Sequence, residues 1–221
     1  RCARHVADEL LRHYANTHSE LHFSARIASH AYDWAHARVL DFVQADPECY
    51  TAFFAGSGCT APLNRLARML AARRPERDVV LVSLMEHHAN DLPHRKHAGQ
   101  VLHVPLTGQA PTLGAVDLAK TARLLEQYAG RVNYVAVAAA SNVTGIINPV
   151  HDIAALAHAH DAEIVVDASQ HLAHAALPVS DTGAMERALD AVVFSGHKLY
   201  APGSPGVAVV KRTLLENQEP D

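Results

Sequence analysis

The spacing of hydrophobic and polar residues divides the chain into a helical beginning and an alternating remainder. In the first forty-five residues, apolar positions recur every three or four residues, as at Ile27, Ala31 and Trp34. This period is typical of amphipathic helices. The polar stretch 15–19 interrupts the pattern, which predicts two helices joined by a loop.

From residue 50 onward, short runs rich in Val and Ala alternate with amphipathic segments. Seven strands are predicted, at 50–54, 79–82, 101–104, 132–137, 163–166, 191–194 and 207–210. Helices are predicted at 63–70, 116–128 and 153–160. This alternation indicates an α/β fold with three α/β/α layers around a mainly parallel sheet. The last two strands are too close in sequence for a parallel crossover, so we expect them to be antiparallel.

Composition narrows the class of protein. The chain has 221 residues, a formal net charge of -4 and no block of five like charges, which disfavours nucleic-acid and anionic-membrane partners. Its apolar stretches are shorter than the ~20 residues of a membrane-spanning helix. Three cysteines lack the spacing of a zinc site or a disulfide framework. A soluble cytoplasmic protein is therefore expected.

Polar segments follow five of the predicted strands, at the points where those strands end. They are Gly56-Ser57-Gly58-Cys59-Thr60, Glu86-His87-His88-Ala89-Asn90, Ser141-Asn142-Val143-Thr144-Gly145, Asp167-Ala168-Ser169-Gln170 and Ser195-Gly196-His197-Lys198. Ligands of open α/β sheets bind at the carboxyl ends of the strands. The convergence of five polar segments there predicts a binding or catalytic site.

A glycine-rich turn precedes the helix predicted at 63–70. Gly56 and Gly58 lie just before Cys59 and Thr60, which would place backbone N–H groups and a hydroxyl at a helix N-terminus. Such a terminus favours phosphate, although an ordinary strand-to-helix turn is the alternative. No Gly-Lys-Ser/Thr follows and a third glycine is missing, which disfavours a P-loop and a dinucleotide fingerprint.

Two charged residues in these segments suit cofactor chemistry. Asp167 follows a hydrophobic strand, where a carboxylate needs a partner such as a protonated pyridine nitrogen. Lys198 follows Gly196 and His197, where a lowered pKa would leave its amine free to attack an aldehyde. A helix cap for Asp167 and a surface position for Lys198 are the alternatives.

Two adjacent histidines follow the strand predicted at 79–82. An imidazole at His87 or His88 could stack on an aromatic cofactor. A metal site with His94 and His97 is the alternative, but adjacent histidines on a helix point in different directions. We therefore predict no metal.

These segments together resemble class V aminotransferases, the fold-type-I group of pyridoxal-phosphate (PLP) enzymes that includes cysteine desulfurases and selenocysteine lyases. The likeness covers about residues 50–211. It is carried by Met85-Glu86-His87-His88-Ala89-Asn90, Ser141-Asn142-Val143-Thr144-Gly145, Val166-Asp167-Ala168-Ser169-Gln170 and Ser195-Gly196-His197-Lys198-Leu199-Tyr200-Ala201-Pro202-Gly203. The resemblance implies the large domain of a PLP-dependent transferase.

The resemblance also implies a role for each residue of the site. Lys198 would hold PLP as a Schiff base and shuttle protons, His87 would stack on the ring, and Asp167 would pair with the pyridine nitrogen. Gln170 would donate to the phenolate oxygen, and Asn142 would lie near the ring and the substrate carboxylate. The implied phosphate ligands are Gly58, Cys59, Thr60, Ser195 and His197.

Members of the family are roughly twice as long as this chain. The resemblance therefore implies that a C-terminal small domain is absent, together with its carboxylate-binding arginine and, in desulfurases, a nucleophilic cysteine. We expect residues 1–48 to form a helical arm and 49–221 the PLP-binding domain. A homodimer with shared sites is implied, in which Gly203 and Ser204 reach the neighbour's phosphate.

The sequence leaves three hypotheses for function. The first is a PLP enzyme acting on an amino acid, as a cysteine desulfurase, a selenocysteine lyase or a transaminase. The second is a non-catalytic PLP-binding module, or a fragment without activity. A nucleotide-binding Rossmann domain is the third and is the least consistent with the motifs.

Overall fold

A computed structural model describes residues 2–108, 114–180 and 183–216. Its α-helices are α1 (Cys2–Leu11), α2 (Phe23–Phe42), α3 (Thr60–Arg73), α4 (Leu92–His97), α5 (Leu118–Gln127) and α6 (Val150–Ala159). Its strands are β1 (Tyr50–Ser57), β2 (Val79–Ser83), β3 (Gln100–Val104), β4 (Val132–Ala138), β5 (Glu163–Asp167), β6 (Ala191–Ser195) and β7 (Pro205–Lys211). Helices and strands alternate from β1 to β5, whereas only a short 3-10 turn at Met185–Arg187 separates β5 from β6 among the described residues.

The strands form one sheet in the order β1-β7-β6-β5-β4-β2-β3. Strands β2 to β6 are parallel, whereas β7 is antiparallel to both of its neighbours, β6 and β1. Strand β1 consequently runs in the same direction as β2 to β6. The carboxyl ends of six strands therefore meet at one edge, which β7 enters with its first residues.

The core lies on both faces of this sheet. Every residue of β2, β4, β5 and β6 is buried, which explains the continuous Val-rich runs. Leu63 and Leu66 of α3 cover one face, and Leu125 of α5 and Ile153 of α6 cover the other. Burying one such side chain contributes about 1.5–3 kcal/mol, so the packed helices hold the sheet edge in a fixed register.

The N-terminal helices join this core through the end of α2. Leu40 and Val43 are buried in the main core, and the Val43 carbonyl accepts from the Val179 N–H at 2.9 Å. Phe23 and Trp34, nearer the start of α2, are exposed. Among the described helices, none combines the length and the apolarity needed to cross a membrane.

The observed elements confirm the predicted α/β fold and the antiparallel last pair of strands. All three helices predicted beyond residue 50 differ in their bounds from the observed ones, and α6 begins at Val150, three residues earlier than predicted. Helix α3 begins three residues earlier than predicted because Pro62 fits within its first turn, and α5 begins later, after the Asp117 cap. Helix α4 was missed, since its six residues, four of which are basic, lack an apolar period.

A buried ion cluster closes the end of the sheet opposite the predicted site. Asp190 accepts from His158 Nε2 at 2.8 Å, from Lys211 Nζ at 2.6 Å and from the Ile164 N–H at 2.8 Å. Burial alone would raise the pKa of Asp190, but His158 and Lys211 outweigh it and hold that pKa below its usual value. The cluster links β5, β7 and α6.

Replacing Asp190 by Asn should lower the free energy of unfolding by about 2–4 kcal/mol, because two cations lose their buried partner. A carboxylate with a lowered pKa stabilises the fold above its ordinary pKa and loses that contribution as the pH falls. Urea unfolding between acidic and neutral pH should therefore show a stability difference that shrinks towards low pH.

Asp152→Asn is the matched control, because the Asp152–Arg187 pair is exposed and should contribute less than about 1 kcal/mol. Equal losses in the two variants, or a difference that does not depend on pH, would contradict this account of the cluster.

Candidate active site

The ladder of hydrogen bonds continues past the strand ends and aligns the polar segments. The Ala139 N–H donates to the Asp167 carbonyl, and the Ala168 N–H donates to the Val193 carbonyl, both at 2.8 Å. Asp167 lies opposite Ala138 on one side and Val193 on the other. These bonds place the ends of β4, β5 and β6 side by side.

The carboxylate of Asp167 is buried at the carboxyl end of β5. Its side chain is 6% exposed; one oxygen accepts from the Ser169 N–H at 2.9 Å, and the other lies 3.8 Å from Cys59 Sγ. Among the described residues, no Lys, Arg or His forms a salt bridge with it. The carboxylate is therefore only partly compensated, and a cationic ligand group would complete its environment.

The glycine turn lies directly against the end of β6. Gly58 has φ +65°, and a Cβ added there would lie 3.1 Å from the His197 ring and 3.2 Å from Ser195 Oγ. The Cys59 N–H donates to Ser195 Oγ at 2.9 Å. Only glycine leaves room for this close approach, in which Gly58, Ser195 and His197 form one cradle.

The hydrogen bond from the Cys59 N–H to Ser195 bears on the predicted phosphate ligands. The family resemblance implies that the Cys59 backbone helps to bind phosphate, whereas this N–H is already paired within the protein. Helix α3 begins at Thr60, which is exposed. No side chain forms a capping hydrogen bond with the first turn of α3. The helix start thus keeps the electrostatic character of an anion site.

Lys198 lies in the short helical turn Gly196–Leu199 that directly follows β6. It is half-buried, and His197 beside it is exposed. The positive charge of Lys198 reaches Cys59, where it favours the thiolate. Burial and the nearby Asp167 outweigh that effect and raise the pKa of the Cys59 thiol. Lys198, Cys59 and Asp167 therefore belong to one electrostatic environment.

His87 and Asn142 line a common pocket of about 360 Å³ between the ends of β2 and β4. Both residues are exposed. The Nδ1 atom of His87 accepts from the Ala89 N–H at 3.1 Å, so a proton on the neutral ring belongs to Nε2. Ser141 Oγ accepts from the Thr144 N–H at 3.2 Å and shapes the loop that carries Asn142.

Gln170 follows Asp167 by three residues and is half-buried at the same edge. The histidines that follow β2, His87, His88, His94 and His97, do not converge on a metal site. Both ring nitrogens of His94 are hydrogen-bonded, to Tyr134 and Asn90, and no group of three metal-ligating side chains occurs within the described residues.

Two polar side chains at this edge, Glu86 and Asn148, have no role that the sequence alone predicts. Glu86 accepts from the Ala138 N–H at 2.7 Å, and Asn148 donates to the Ala138 carbonyl at 2.7 Å. Asn148 also accepts from the Val116 N–H at 2.9 Å. Glu86 stands three residues beyond a buried strand, a signal similar to the one that singled out Asp167.

The residues at this edge fit a PLP molecule. A buried carboxylate without a cation suits a protonated pyridine nitrogen, and the glycine cradle with the uncapped start of α3 suits a phosphate. Lys198, which carries a primary amine, lies on the turn that follows β6 and is next in sequence to His197 of the cradle. The donor set, the acceptor and the amine are those that this cofactor requires.

Comparison with known proteins agrees with this geometry. The family model for aminotransferase class-V matches residues 2–221. A probable cysteine desulfurase of Vibrio cholerae is 36% identical over 216 residues, and a cysteine desulfurase of Dickeya dadantii is 35% identical over 219 residues. These alignments cover 95% and 96% of this chain. The chain spans about half the length of the curated relatives it matches.

Solved structures show the same relation. A cysteine desulfurase from Thermococcus onnurineus superposes with a TM-score of 0.81 at 25% identity, over 99% of this chain and 52% of that one. A cysteine desulfurase from Escherichia coli superposes with a TM-score of 0.74 at 28% identity, over 97% and 52%. The predicted fold type is confirmed, and the chain belongs to the aminotransferase class-V family of PLP-dependent enzymes.

Proposed function

We propose that this chain is the cofactor-binding part of a PLP-dependent enzyme that acts on an amino acid and is most similar to cysteine desulfurases. The observation that carries the proposal is the buried Asp167 carboxylate beside the Gly58–Ser195–His197 cradle, with Lys198 on the next turn. The relatives that match along the chain are named cysteine desulfurases, which favours desulfuration over transamination.

The chemistry supplied by bound PLP is the withdrawal of electrons from the substrate's α-carbon. In the proposal, Lys198 holds the cofactor covalently and carries a proton to and from the substrate through its Nζ atom. Asp167 keeps a proton on the ring nitrogen. His87 packs on the ring, Gln170 donates to its phenolate oxygen, and Asn142 orients the substrate.

The phosphate would be held by Thr60, Ser195 and His197. Because the Cys59 N–H already donates to Ser195, Cys59 acts mainly by fixing the cradle. Gly58 contributes by its small size as well as by its backbone. Of the proposed phosphate ligands, Ser195 is also the residue that joins the glycine turn to β6.

The cysteines that the structure describes favour a sulfur-accepting thiol that lies outside this chain. Cys59 is buried with a raised thiol pKa, because burial and Asp167 disfavour its thiolate. Cys49 precedes β1, at the end of the sheet opposite the site. Neither supplies a reactive thiolate next to a bound substrate. A PLP-binding module without desulfurase activity is therefore the second candidate.

We further propose a cytoplasmic homodimer with an arm at residues 1–48 and a PLP-binding domain at 49–221. Cys49 and Cys59 are free thiols, which suits a reducing compartment. The exposed apolar side chains of α2, among them Trp34 and Phe23, provide a surface that a further domain or subunit could cover. In a dimer, the loop at Gly203 and Ser204 would reach the neighbour's phosphate.

Lys198→Ala should abolish covalent attachment of PLP and leave the fold intact, because Lys198 is half-buried on a surface turn. Borohydride reduction followed by mass spectrometry should place the pyridoxyl adduct of the unmutated chain on Lys198. Lys120→Ala, on exposed α5 surface, is the control and should keep the adduct. An adduct on another lysine would refute the assignment.

Asp167→Asn should leave PLP bound but weaken its action on substrates. Loss of an adjacent opposite charge shifts a pKa by about 1–3 units, so exchange of an amino acid's α-hydrogen with solvent deuterium should slow about ten- to a thousandfold. NMR of the amino acid measures this exchange. Asp152→Asn is the control, and unchanged exchange in Asp167→Asn would show that the pairing is wrong.

The 221-residue chain alone, loaded with PLP, should not release sulfide or alanine from L-cysteine. The reason is that neither Cys49 nor Cys59 offers an accessible thiolate at the site, and that Cys2 belongs to the N-terminal helix α1. The Dickeya dadantii enzyme is a suitable positive control. Release at a rate near that control, lost in Cys2→Ser, Cys49→Ser or Cys59→Ser, would show that the sulfur-accepting thiol lies within this chain.

A further inference from the structure

A row of four polar side chains connects the buried side of α4 with the candidate site. Tyr134 Oη lies 2.9 Å from His94 Nδ1, His94 Nε2 lies 3.1 Å from Asn90 Oδ1, and Asn90 Nδ2 lies 2.6 Å from Glu86 Oε2. Asn90, His94 and Tyr134 are at most 1% exposed. We call this row the Glu86 relay.

The donors of the relay all point towards Glu86. An ionised carboxylate only accepts hydrogen bonds, so Asn90 must turn its NH₂ group to Glu86 and its oxygen to His94. His94 then carries its proton on Nε2, and its Nδ1 accepts from the Tyr134 hydroxyl. Burial lowers the pKa of His94 to about 4, which keeps the ring neutral with a single proton to donate.

At its other end, Glu86 is attached to the strand ends of the site. Its Oε1 atom accepts from the Ala138 N–H at 2.7 Å and from the Ser83 hydroxyl. Ala138 is the last residue of β4 and lies opposite Asp167 in the ladder. Because His87 is the next residue after Glu86, these bonds fix the turn that carries His87 relative to Asp167.

Glu86 is also electrostatically coupled to the site. The pKa of Glu86 is raised to about 7, mainly by burial and to a smaller extent by Asp167, while donation from Ser83, Asn90 and Ala138 opposes the rise. The titratable groups around it are Asp167 on β5, His87 in the next position and His94 beyond Asn90. Two carboxylates thus share one sheet edge, and only Asp167 has a role in the proposed mechanism.

We propose that Glu86 is a positioning residue of the cofactor site, which holds the His87 turn against the end of β4 and adds its charge to that of Asp167. This inference rests on the proposed function, and the relay makes it testable without the cofactor. The relay imposes one tautomer on His94 as long as Glu86 is a carboxylate.

Glu86→Gln should reverse the relay. A Gln that accepts from Ser83 and Ala138 turns its NH₂ group to Asn90, so Asn90 must present its oxygen there and its own NH₂ to His94. His94 then accepts at Nε2 and carries its proton on Nδ1, which donates to Tyr134. Nitrogen NMR of ring-labelled histidine in the cofactor-free chain, well above the Glu86 pKa of about 7, should show this switch.

Assignment of the His94 signals uses His94→Gln, and Asp152→Asn, which removes an exposed carboxylate away from the relay, serves as the control. In the PLP-loaded protein, Glu86→Gln should lower the pH at which the visible band of the Lys198-bound cofactor titrates, by about 0.5 unit or more. Loss of one negative charge near Asp167 makes protonation of the cofactor less favourable. His94→Gln keeps the Glu86 charge and should shift this midpoint less.

An unchanged His94 tautomer in Glu86→Gln would overturn the relay. A reversed tautomer with an unmoved midpoint would overturn the positioning role and leave Glu86 as a purely structural residue. Failure of the proposed function is distinct from both, because the unmutated chain would then form no borohydride-stable adduct at Lys198. If Glu86→Gln does not fold, Ser83→Ala removes one donor from Glu86 and should raise the midpoint of the Glu86 carboxyl titration.

Discussion

Burial of the Asp167 carboxylate is the constraint on which the rest of the site depends. An ionised carboxyl group removed from water is costly unless hydrogen bonds or an opposite charge compensate it. The protein provides one backbone N–H and a thiol 3.8 Å away, and no salt bridge within the described residues. A site with this imbalance favours a ligand that brings a positive group to the end of β5.

The sheet places this carboxylate and the groups around it. Parallel β2, β4, β5 and β6 end together, and hydrogen bonds from Ala139 and Ala168 extend the ladder beyond the strands. The antiparallel β7 brings Gly206 so close to Gly58 that a Cβ would lie 1.9 Å from the Gly58 carbonyl. This close approach holds the glycine turn against Ser195, and Ser195 Oγ accepts a hydrogen bond from the Cys59 N–H. The cradle of Gly58, Ser195 and His197 is therefore a product of sheet packing rather than of a flexible loop.

Much of this arrangement is predictable from the sequence because strand order and burial leave strong local signals. Runs such as Ile164-Val165-Val166 identify buried strands, and polar residues directly after them identify the edge with the site. The hydrogen-bond partners of individual side chains are harder to predict from the sequence. Pairing of the Cys59 N–H with Ser195 depends on β7, which is distant in sequence. The Glu86 relay joins α4 to β4 through the bond between His94 and Tyr134. No pattern within a single segment of the sequence reveals such a network.

The central claim is that Asp167 compensates a protonated ring nitrogen of PLP. The most direct measurement is the nitrogen NMR shift of PLP labelled at the ring nitrogen and bound to the unmutated chain. A shift typical of a protonated pyridine, maintained into the alkaline range where the free cofactor is neutral, is the result that this account predicts. A shift typical of a neutral pyridine at neutral pH would contradict it, because the buried carboxylate would then have no cationic partner.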